Sequence, residues 1–117
     1  MSEHQRLEVS EVGDVTVVRF VDRRILDANN IEELGGELFG LIEQENRKKL
    51  LLNFSDVEFL SSAALNKMII LDKKLKSGGG VLKLCCLRPE IQEVFMITKL
   101  DQLFEIKVNE AQGLEAF

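Results

Sequence analysis

The sequence predicts an α/β domain built on a mixed β-sheet. Near the start, a segment of alternating apolar and polar residues is separated by Gly13-Asp14 from a valine-rich segment, which predicts a β-hairpin. Later apolar strand segments alternate with helical patterns, which is typical of parallel strands joined by crossover helices. A chain of 117 residues suits one domain with one core. We therefore expect a single domain over residues 1–117, with the polar residues 1–6 flexible.

The first half of the chain predicts a hairpin, a helix and a buried strand. The hairpin strands are expected at residues 7–12 and 15–21. Asp27 and Asn29 offer N-caps for the first helix. The apolar positions of this helix recur at helical spacing: Ile31, Leu34, Leu38, Leu41 and Ile42. Residues 50–54 form a short apolar run, which predicts a strand buried on both faces.

A second helix is expected to begin near Ser62, after a very short link from the buried strand. Its apolar side is formed by Ala64, Leu65, Met68, Leu71 and Leu75. Ile70 falls away from this side, and Asp72 falls near its edge. Neither position is explained by a simple amphipathic helix that faces a core.

The glycine run Gly78-Gly79-Gly80 follows this helix and precedes a strand. Phosphate-binding loops have the opposite order, since the glycines there precede the helix. The run therefore predicts a helix C-cap and a turn. A strand over 81–87, a helix from Arg88-Pro89-Glu90 and a strand over 103–108 follow, and residues 110–117 form a short helix or tail.

Composition limits the partners that this protein is expected to have. The net charge of −5 argues against duplex DNA or an anionic membrane as a partner. The absence of Trp and Tyr leaves few stacking platforms for single-stranded nucleic acid. No segment approaches the roughly 20 apolar residues that span a bilayer, and the start lacks a signal-peptide pattern. We expect no direct contact with nucleic acid or membrane, and a cytoplasmic location.

The residue types needed for metal binding or nucleophilic catalysis are scarce. His4 is the only histidine, and it lies in the polar N-terminal segment. Cys85 and Cys86 are adjacent in a strand pattern, so their side chains are expected on opposite faces and poorly placed to form a disulfide. We therefore expect reduced thiols, no metal site, no cofactor, no catalytic residues and no enzymatic activity.

Ser61 and Ser62 place two hydroxyl groups at the start of the second helix. Serine is among the best N-cap residues, so spacing alone favours a capping function for one of them. The other would be exposed at a helix N-terminus, where unpaired N–H groups and the helix dipole tolerate an added phosphate.

These residues, and most of the chain, resemble the STAS domain of the bacterial anti-sigma factor antagonists. The resemblance covers residues 26–27, 50–54, 57–65, 79–84, 87–95 and 100–106. It implies a STAS α/β fold with a mixed sheet, an N-terminal hairpin and helices packed on one side. It also implies a partner, an anti-sigma factor that is a serine kinase of the histidine-kinase-like ATPase type, and a serine phosphatase that reverses the modification.

Aligned with the family motif, Ser62 is the phosphoacceptor and Asp27 matches an aspartate near that site. The resemblance implies a partner-binding surface that includes Asp27, Ser61, Ser62, Ala63 and Ile70. The motif also departs from the family, because Ser61 replaces an aspartate, Ala63 a second serine and Ala64 a glycine.

Two functions remain open at this stage. One is an anti-sigma factor antagonist switched by phosphorylation at Ser62. The other is a constitutive STAS protein-interaction scaffold without phosphorylation. Nucleotide binding is a weaker third alternative, because the sequence has no phosphate loop.

Overall fold

The computed structural model describes residues 5–117. The strands are β1 (Leu7–Val12), β2 (Val15–Phe20), β3 (Arg24–Ile25), β4 (Lys49–Asn53), β5 (Phe59–Leu60), β6 (Val81–Cys85) and β7 (Glu105–Lys107). The helices are α1 (Ala28–Glu43), α2 (Ser62–Ser77), α3 (Pro89–Ile97) and α4 (Glu110–Glu115), with one 3₁₀ turn at Leu100–Gln102.

Five strands form the main sheet in the order β1-β2-β4-β6-β7. The hairpin strands β1 and β2 are antiparallel, with Val12 opposite Val15 across the turn. The other neighbours, β2–β4, β4–β6 and β6–β7, are parallel. The predicted α/β architecture with a mixed sheet and an N-terminal hairpin is therefore confirmed.

The main core lies between this sheet and helices α1, α2 and α3. Alternate residues of the central strands face it, among them Leu50, Leu52 and Leu84, which are fully buried. A row of aromatic contacts crosses the core: Phe20 with Phe54, Phe54 with Phe95, and Phe95 with Phe104, with ring centroids 4.9, 6.2 and 5.9 Å apart. Full burial of each such side chain contributes roughly 1.5–3 kcal/mol.

Helix α4 packs on the opposite face of the sheet. That face presents the intervening strand residues Val15, Val17, Leu51 and Cys85, and Leu114 and Phe117 pack against them. A Cβ atom on Gly113 would lie 2.8 Å from Leu51 Cδ1, so glycine allows this close approach without displacing the Leu51 side chain. The expected one-sided packing thus holds for α1–α3, while α4 covers the second face because the central strands are apolar on both sides.

Two predicted boundaries change in the structure. The strand expected over 81–87 ends at Cys85, because Cys86 adopts a left-handed backbone with φ of +64°. The strand expected over 103–108 is confined to Glu105–Lys107. The glycine run ends α2 as expected, since Gly78 is the C-cap and Gly79 has a φ of +81°.

The N-terminal segment is anchored at Arg6. The Arg6 backbone N–H donates to Glu37, and the guanidinium group forms ion pairs with Asp22 and Glu33. The flexibility expected for residues 1–6 stays a prediction, and Arg6 makes these tertiary contacts in the structure. Residues 1–4, including His4, lie outside the described residues. Within residues 5–117, no helix combines the length and the apolar content that crossing a membrane requires.

Candidate functional site

A short parallel ribbon formed by β3 and β5 brings two helix starts together. Ile25 pairs with Leu60, and the Ser61 N–H donates to the Ile25 carbonyl at 3.1 Å. Each strand leads directly into a helix, β3 into α1 and β5 into α2. The N-termini of α1 and α2 therefore lie side by side, with Asp27 at one and Ser62 at the other. Sequence periodicity could not find this ribbon, because each strand has only two residues.

The two serines at the start of α2 have different functions. Ser61 is the N-cap, and its hydroxyl oxygen accepts a hydrogen bond from the Ala64 N–H at 3.2 Å. Ser62 is the first helical residue and is exposed, and its side chain makes no hydrogen bond within residues 5–117. The prediction that one serine caps while the other stays exposed is confirmed. Modification of Ser62 would therefore leave the cap intact.

Asp27 caps α1 in the same way that Ser61 caps α2. Its carboxylate oxygen Oδ1 accepts a hydrogen bond from the Asn30 N–H at 3.1 Å. The residue is exposed, so the carboxylate is accessible from the surface shared with Ser62. A partner that contacts Asp27 would meet a side chain whose orientation is already fixed by its capping bond.

The outer face of α2 carries Ala63 and Ile70. These residues are seven positions apart, so they lie on one side of the helix about 10.5 Å from each other. Ala63 is exposed, and Ile70 is half-buried and does not join either apolar core cluster. Asp72, in contrast, is buried and paired with Lys76 at 2.9 Å. The structure thus places Ile70 on the accessible side of α2 and Asp72 on the core side.

Two lysines on the side of α2 nearest α1 form ion pairs between the two helices. Lys67 and Lys74 form ion pairs with Glu32 and Glu43 of α1, at 3.1 and 3.7 Å. Both ammonium groups also lie over the Phe39 ring, 6.0 and 5.4 Å from its centroid. These contacts join the two helices behind their adjacent N-termini.

Two exposed apolar side chains border the helix starts and were missed by sequence reasoning. Leu26 is 52% exposed and Phe59 is 48% exposed. The guanidinium group of Arg24 lies 5.0 Å from the Phe59 ring centroid, in a cation–π contact. We call the set Leu26, Asp27, Phe59, Ser62 and Ala63 the helix-start surface. No local signal identifies them, because Leu26 directly precedes the Asp27 cap and Phe59 lies two positions before the Ser61 cap, where an apolar residue can be buried or exposed.

A family model matches this chain over nearly all of its length. The model is that of the STAS domain, and it covers residues 6–113. The chain belongs to the STAS domain family.

The relatives of this STAS domain carry consistent descriptions. BtrV of Bordetella bronchiseptica, named as a candidate anti-sigma factor antagonist, is 28% identical over 93 residues, which span 80% of this chain and 79% of BtrV. A candidate anti-sigma factor antagonist of Thermotoga maritima superimposes with a TM-score of 0.84 at 23% identity, covering 97% of this chain and 95% of that one. A STAS domain protein of Planctomyces limnophilus also gives 0.84, at 25% identity with coverages of 94% and 96%.

The departure of this STAS domain from the family motif has a defined structural effect at Ser61. Aspartate and serine are about equally effective as N-caps, and Ser61 keeps the bond to Ala64 that an aspartate would make. Relative to the aspartate that the resemblance implies at this position, Ser61 therefore preserves the helix start and carries no negative charge beside Ser62. The alanines at positions 63 and 64 favour the helical conformation of the first turn.

The two cysteines of this STAS domain are not arranged as predicted. The sequence pattern placed Cys85 and Cys86 on opposite faces, but their sulfur atoms are 3.5 Å apart. The prediction is wrong because the strand ends at Cys85 and the left-handed backbone of Cys86 turns its side chain back. Burial, together with the neighbouring Cys86, raises the pKa of the Cys85 thiol far above its usual range. Within the described part of the chain, the two cysteines included, no group of three or more His, Cys, Asp or Glu side chains could hold a metal ion.

Proposed function

We propose that this STAS domain is a cytoplasmic, non-enzymatic anti-sigma factor antagonist switched by phosphorylation at Ser62. Its helix-start surface, extended along α2 to Ile70, binds an anti-sigma factor that is a serine kinase of the histidine-kinase-like ATPase type. The kinase phosphorylates Ser62 and so ends the complex, and a serine phosphatase restores it. The observation that carries this proposal is that the Ser61 hydroxyl caps α2, whereas the Ser62 side chain is exposed.

The position of Ser62 accounts for a switch that leaves the fold intact. A phosphate there adds a charge of about −1.5 to −2. At the first position of α2 this charge lies near unpaired backbone N–H groups and the positive end of the helix dipole. The neighbouring start of α1 lies beside it through the β3–β5 ribbon. The modified domain therefore remains folded.

The surroundings of Ser62 account for the loss of the partner. Leu26 and Phe59 are exposed apolar groups that a bound protein would cover. Covering them also removes water from a phosphate at Ser62, and desolvation of an unpaired charge is costly. The same loss of water strengthens the like-charge repulsion between this phosphate and the nearby Asp27 carboxylate, because the dielectric constant of a covered surface is lower. The names of BtrV and of the structural neighbours support the anti-sigma factor as the class of partner.

The binding test is a calorimetric titration of the anti-sigma factor kinase from the same genome with Ser62 variants. We expect Ser62→Asp to weaken binding at least tenfold and Ser62→Ala to keep the affinity of the natural protein. Ser10→Asp is the matched control, since it adds the same charge at an exposed position of strand β1. Equal affinities for Ser62→Asp and Ser62→Ala would contradict the switch.

Phosphorylation is measured separately by intact mass after incubation with the kinase and ATP. We expect one added phosphate on the natural protein and none on Ser62→Ala.

The constitutive scaffold is the second candidate function. It is favoured by one observation, the loss of the motif's aspartate at Ser61, which removes a carboxylate that could hydrogen-bond a kinase. A complex that forms normally while Ser62 remains unmodified after incubation with the kinase and ATP would support the scaffold. The variant Ser61→Asp also distinguishes the two functions. It restores the carboxylate that could hydrogen-bond a kinase and keeps a good N-cap residue at the start of α2.

A further inference from the structure

The end of strand β6 holds two thiols in contact. Cys85 is fully buried and Cys86 is partly exposed, and their sulfur atoms are 3.5 Å apart. A regular strand would separate adjacent side chains to opposite faces. Cys86 avoids this separation by adopting a φ of +64°, a left-handed backbone conformation that is strained for a residue other than glycine. The backbone strain is therefore what brings the sulfur atoms together.

The neighbouring strands hold this conformation in place. The Cys85 carbonyl accepts a hydrogen bond from the Phe54 N–H at 3.0 Å, and the Cys86 N–H donates to the Lys107 carbonyl at 3.4 Å. The dithiol is thus fixed between the ends of β4 and β7. Strained conformations of this kind persist only where the surroundings determine them, and they concentrate at functional sites.

We propose that Cys85 and Cys86 form an oxidation site that closes to a disulfide between adjacent residues when the protein meets a hydroperoxide. The partly exposed Cys86 reacts first: its thiolate attacks one peroxide oxygen, the O–O bond breaks, and a sulfenic acid and water result. The Cys85 sulfur then attacks the Cys86 sulfur, the S–S bond forms, and the sulfenic oxygen leaves as a second water. Two thiols and one hydrogen peroxide give one disulfide and two waters.

The environment of the two sulfur atoms sets this order of reaction. Cys85 is buried, and both burial and the adjacent Cys86 raise its pKa, so it is a poor first nucleophile. The carboxylate of Glu110 also raises the pKa of Cys85, and the charge of Arg19 lowers it. Once Cys86 carries a neutral sulfenic acid, its repulsion of a Cys85 thiolate ends, which favours the second step.

The disulfide would be reversible. The Cα atoms of adjacent residues are about 3.8 Å apart, below the usual disulfide range of roughly 4.4–6.8 Å. A strained disulfide of this kind is easily reduced and is typical of regulatory rather than structural bridges. The site therefore suits reversible oxidation, because a cellular thiol can reduce the disulfide.

The dithiol is connected to the helix-start surface through Arg88. This residue follows Cys86 by two positions and occupies the N-cap position of α3, and its Nε–H donates to the Ser55 carbonyl at 3.1 Å. Ser55 begins the loop that leads to β5 and the start of α2. Ring closure at Cys85–Cys86 changes the backbone that positions Arg88, so we expect oxidation to loosen residues 55–61. This inference does not depend on phosphorylation of Ser62.

The test is stoichiometric hydrogen peroxide treatment of the reduced full chain, followed by alkylation under denaturing conditions, which expose the buried Cys85, and by intact mass spectrometry. We expect the natural protein to lose two hydrogens, to resist alkylation at both cysteines, to remain a single chain on a non-reducing gel, and to recover with dithiothreitol. Cys86→Ala should block the change. Added oxygen on Cys86 with Cys85 still open to alkylation, or a cross-link between two chains, would overturn the proposal.

A second measurement requires no variant. Phenylarsine oxide binds paired thiols, and we expect one arsenic per reduced natural chain and none after peroxide treatment. Absence of arsenic binding to the reduced chain would refute the paired arrangement. Hydrogen exchange then tests the connection to the helix-start surface: faster exchange at residues 55–61 after oxidation is expected, and unchanged exchange would overturn that part of the inference.

Discussion

The capping bond of Ser61 gives a prediction that separates the two serines by their effect on stability. Ser61→Ala removes the hydroxyl oxygen that accepts the Ala64 N–H at 3.2 Å. Loss of an N-cap of this type costs about 1 kcal/mol, within a range of roughly 0.5–2 kcal/mol. For a chain of 117 residues the unfolding entropy converts this loss into a fall in Tm of about 4 °C.

The assay is urea unfolding followed by far-UV circular dichroism, with thermal unfolding as a second measurement. Ser62→Ala is the matched control, since Ser62 is the first helical residue and contributes no capping bond in the described part of the chain. We expect its free energy of unfolding to stay within about 0.5 kcal/mol of the natural protein.

A third variant, Ser61→Asp, replaces one good cap with another. We expect it to match or exceed the natural protein at pH 7, because a negative charge at this position also interacts favourably with the helix dipole. The reasoning fails if Ser61→Ala is as stable as the natural protein, or if Ser62→Ala loses as much stability as Ser61→Ala.

Two further predictions concern the backbone and the charges. Lys99 is exposed and follows the end of α3 with a φ of +62°. Lys99→Gly should therefore raise the free energy of unfolding, measured in urea, by about 1 kcal/mol. Lys99→Ala is the control, because alanine leaves the backbone strain in place. Glu105 accepts from Lys83, and hydrogen bonds from Lys83 and Lys107 lower the pKa of its carboxyl. A lowered pKa in the folded state gives stability that is present above the ordinary value of 4.5 and is lost as the pH falls through the folded value. Glu105→Gln should therefore be less stable than the natural protein at pH 7, and the difference should disappear as the pH falls through the folded pKa of Glu105. A difference that stays constant as the pH falls would count against the ion pair as the cause.

Local signals in the sequence were sufficient for most of the elements. The hairpin follows from its turn residues, and α1 and α2 follow from apolar spacing and from the caps at Asp27 and Ser61. Pro89 marks the start of α3 because a proline in the first helical turn loses no hydrogen bond. These features depend on neighbouring residues alone, which is why they can be recognised without a structure.

The features that required the structure depend on residues distant in the sequence. The β3–β5 ribbon is defined by pairing between strands too short to show a period. Lys67 and Lys74 contact carboxylates and an aromatic ring of α1, each more than 25 residues away in the sequence from the lysine that it contacts. The left-handed backbone of Cys86 is determined by the hydrogen bonds of β4 and β7. In each case the contact that determines the feature joins residues too far apart in the sequence for a periodic pattern to reveal it.

The candidate site could be predicted only in part for the same reason. Asp27, Ser61 and Ser62 were identified by residue type and by resemblance, and the structure brings their helix starts together. Leu26 and Phe59 were not identified, because their exposure results from how the ribbon lies on the domain. An isolated apolar residue before a helix looks the same in sequence whether it is buried or exposed.

The β3–β5 ribbon also bears on when the site appears during folding. Its strands are brought together from positions far apart in the chain, as the Arg23–Glu58 contact shows with a separation of 35 residues. A loop of that length must close before the two helix starts can meet, whereas the β1–β2 hairpin requires only a turn. A nascent or partly unfolded chain therefore lacks the paired helix starts, even if its individual helices have formed. A partner protein that binds this surface would therefore bind only fully folded chains. Partly folded chains would not compete for it.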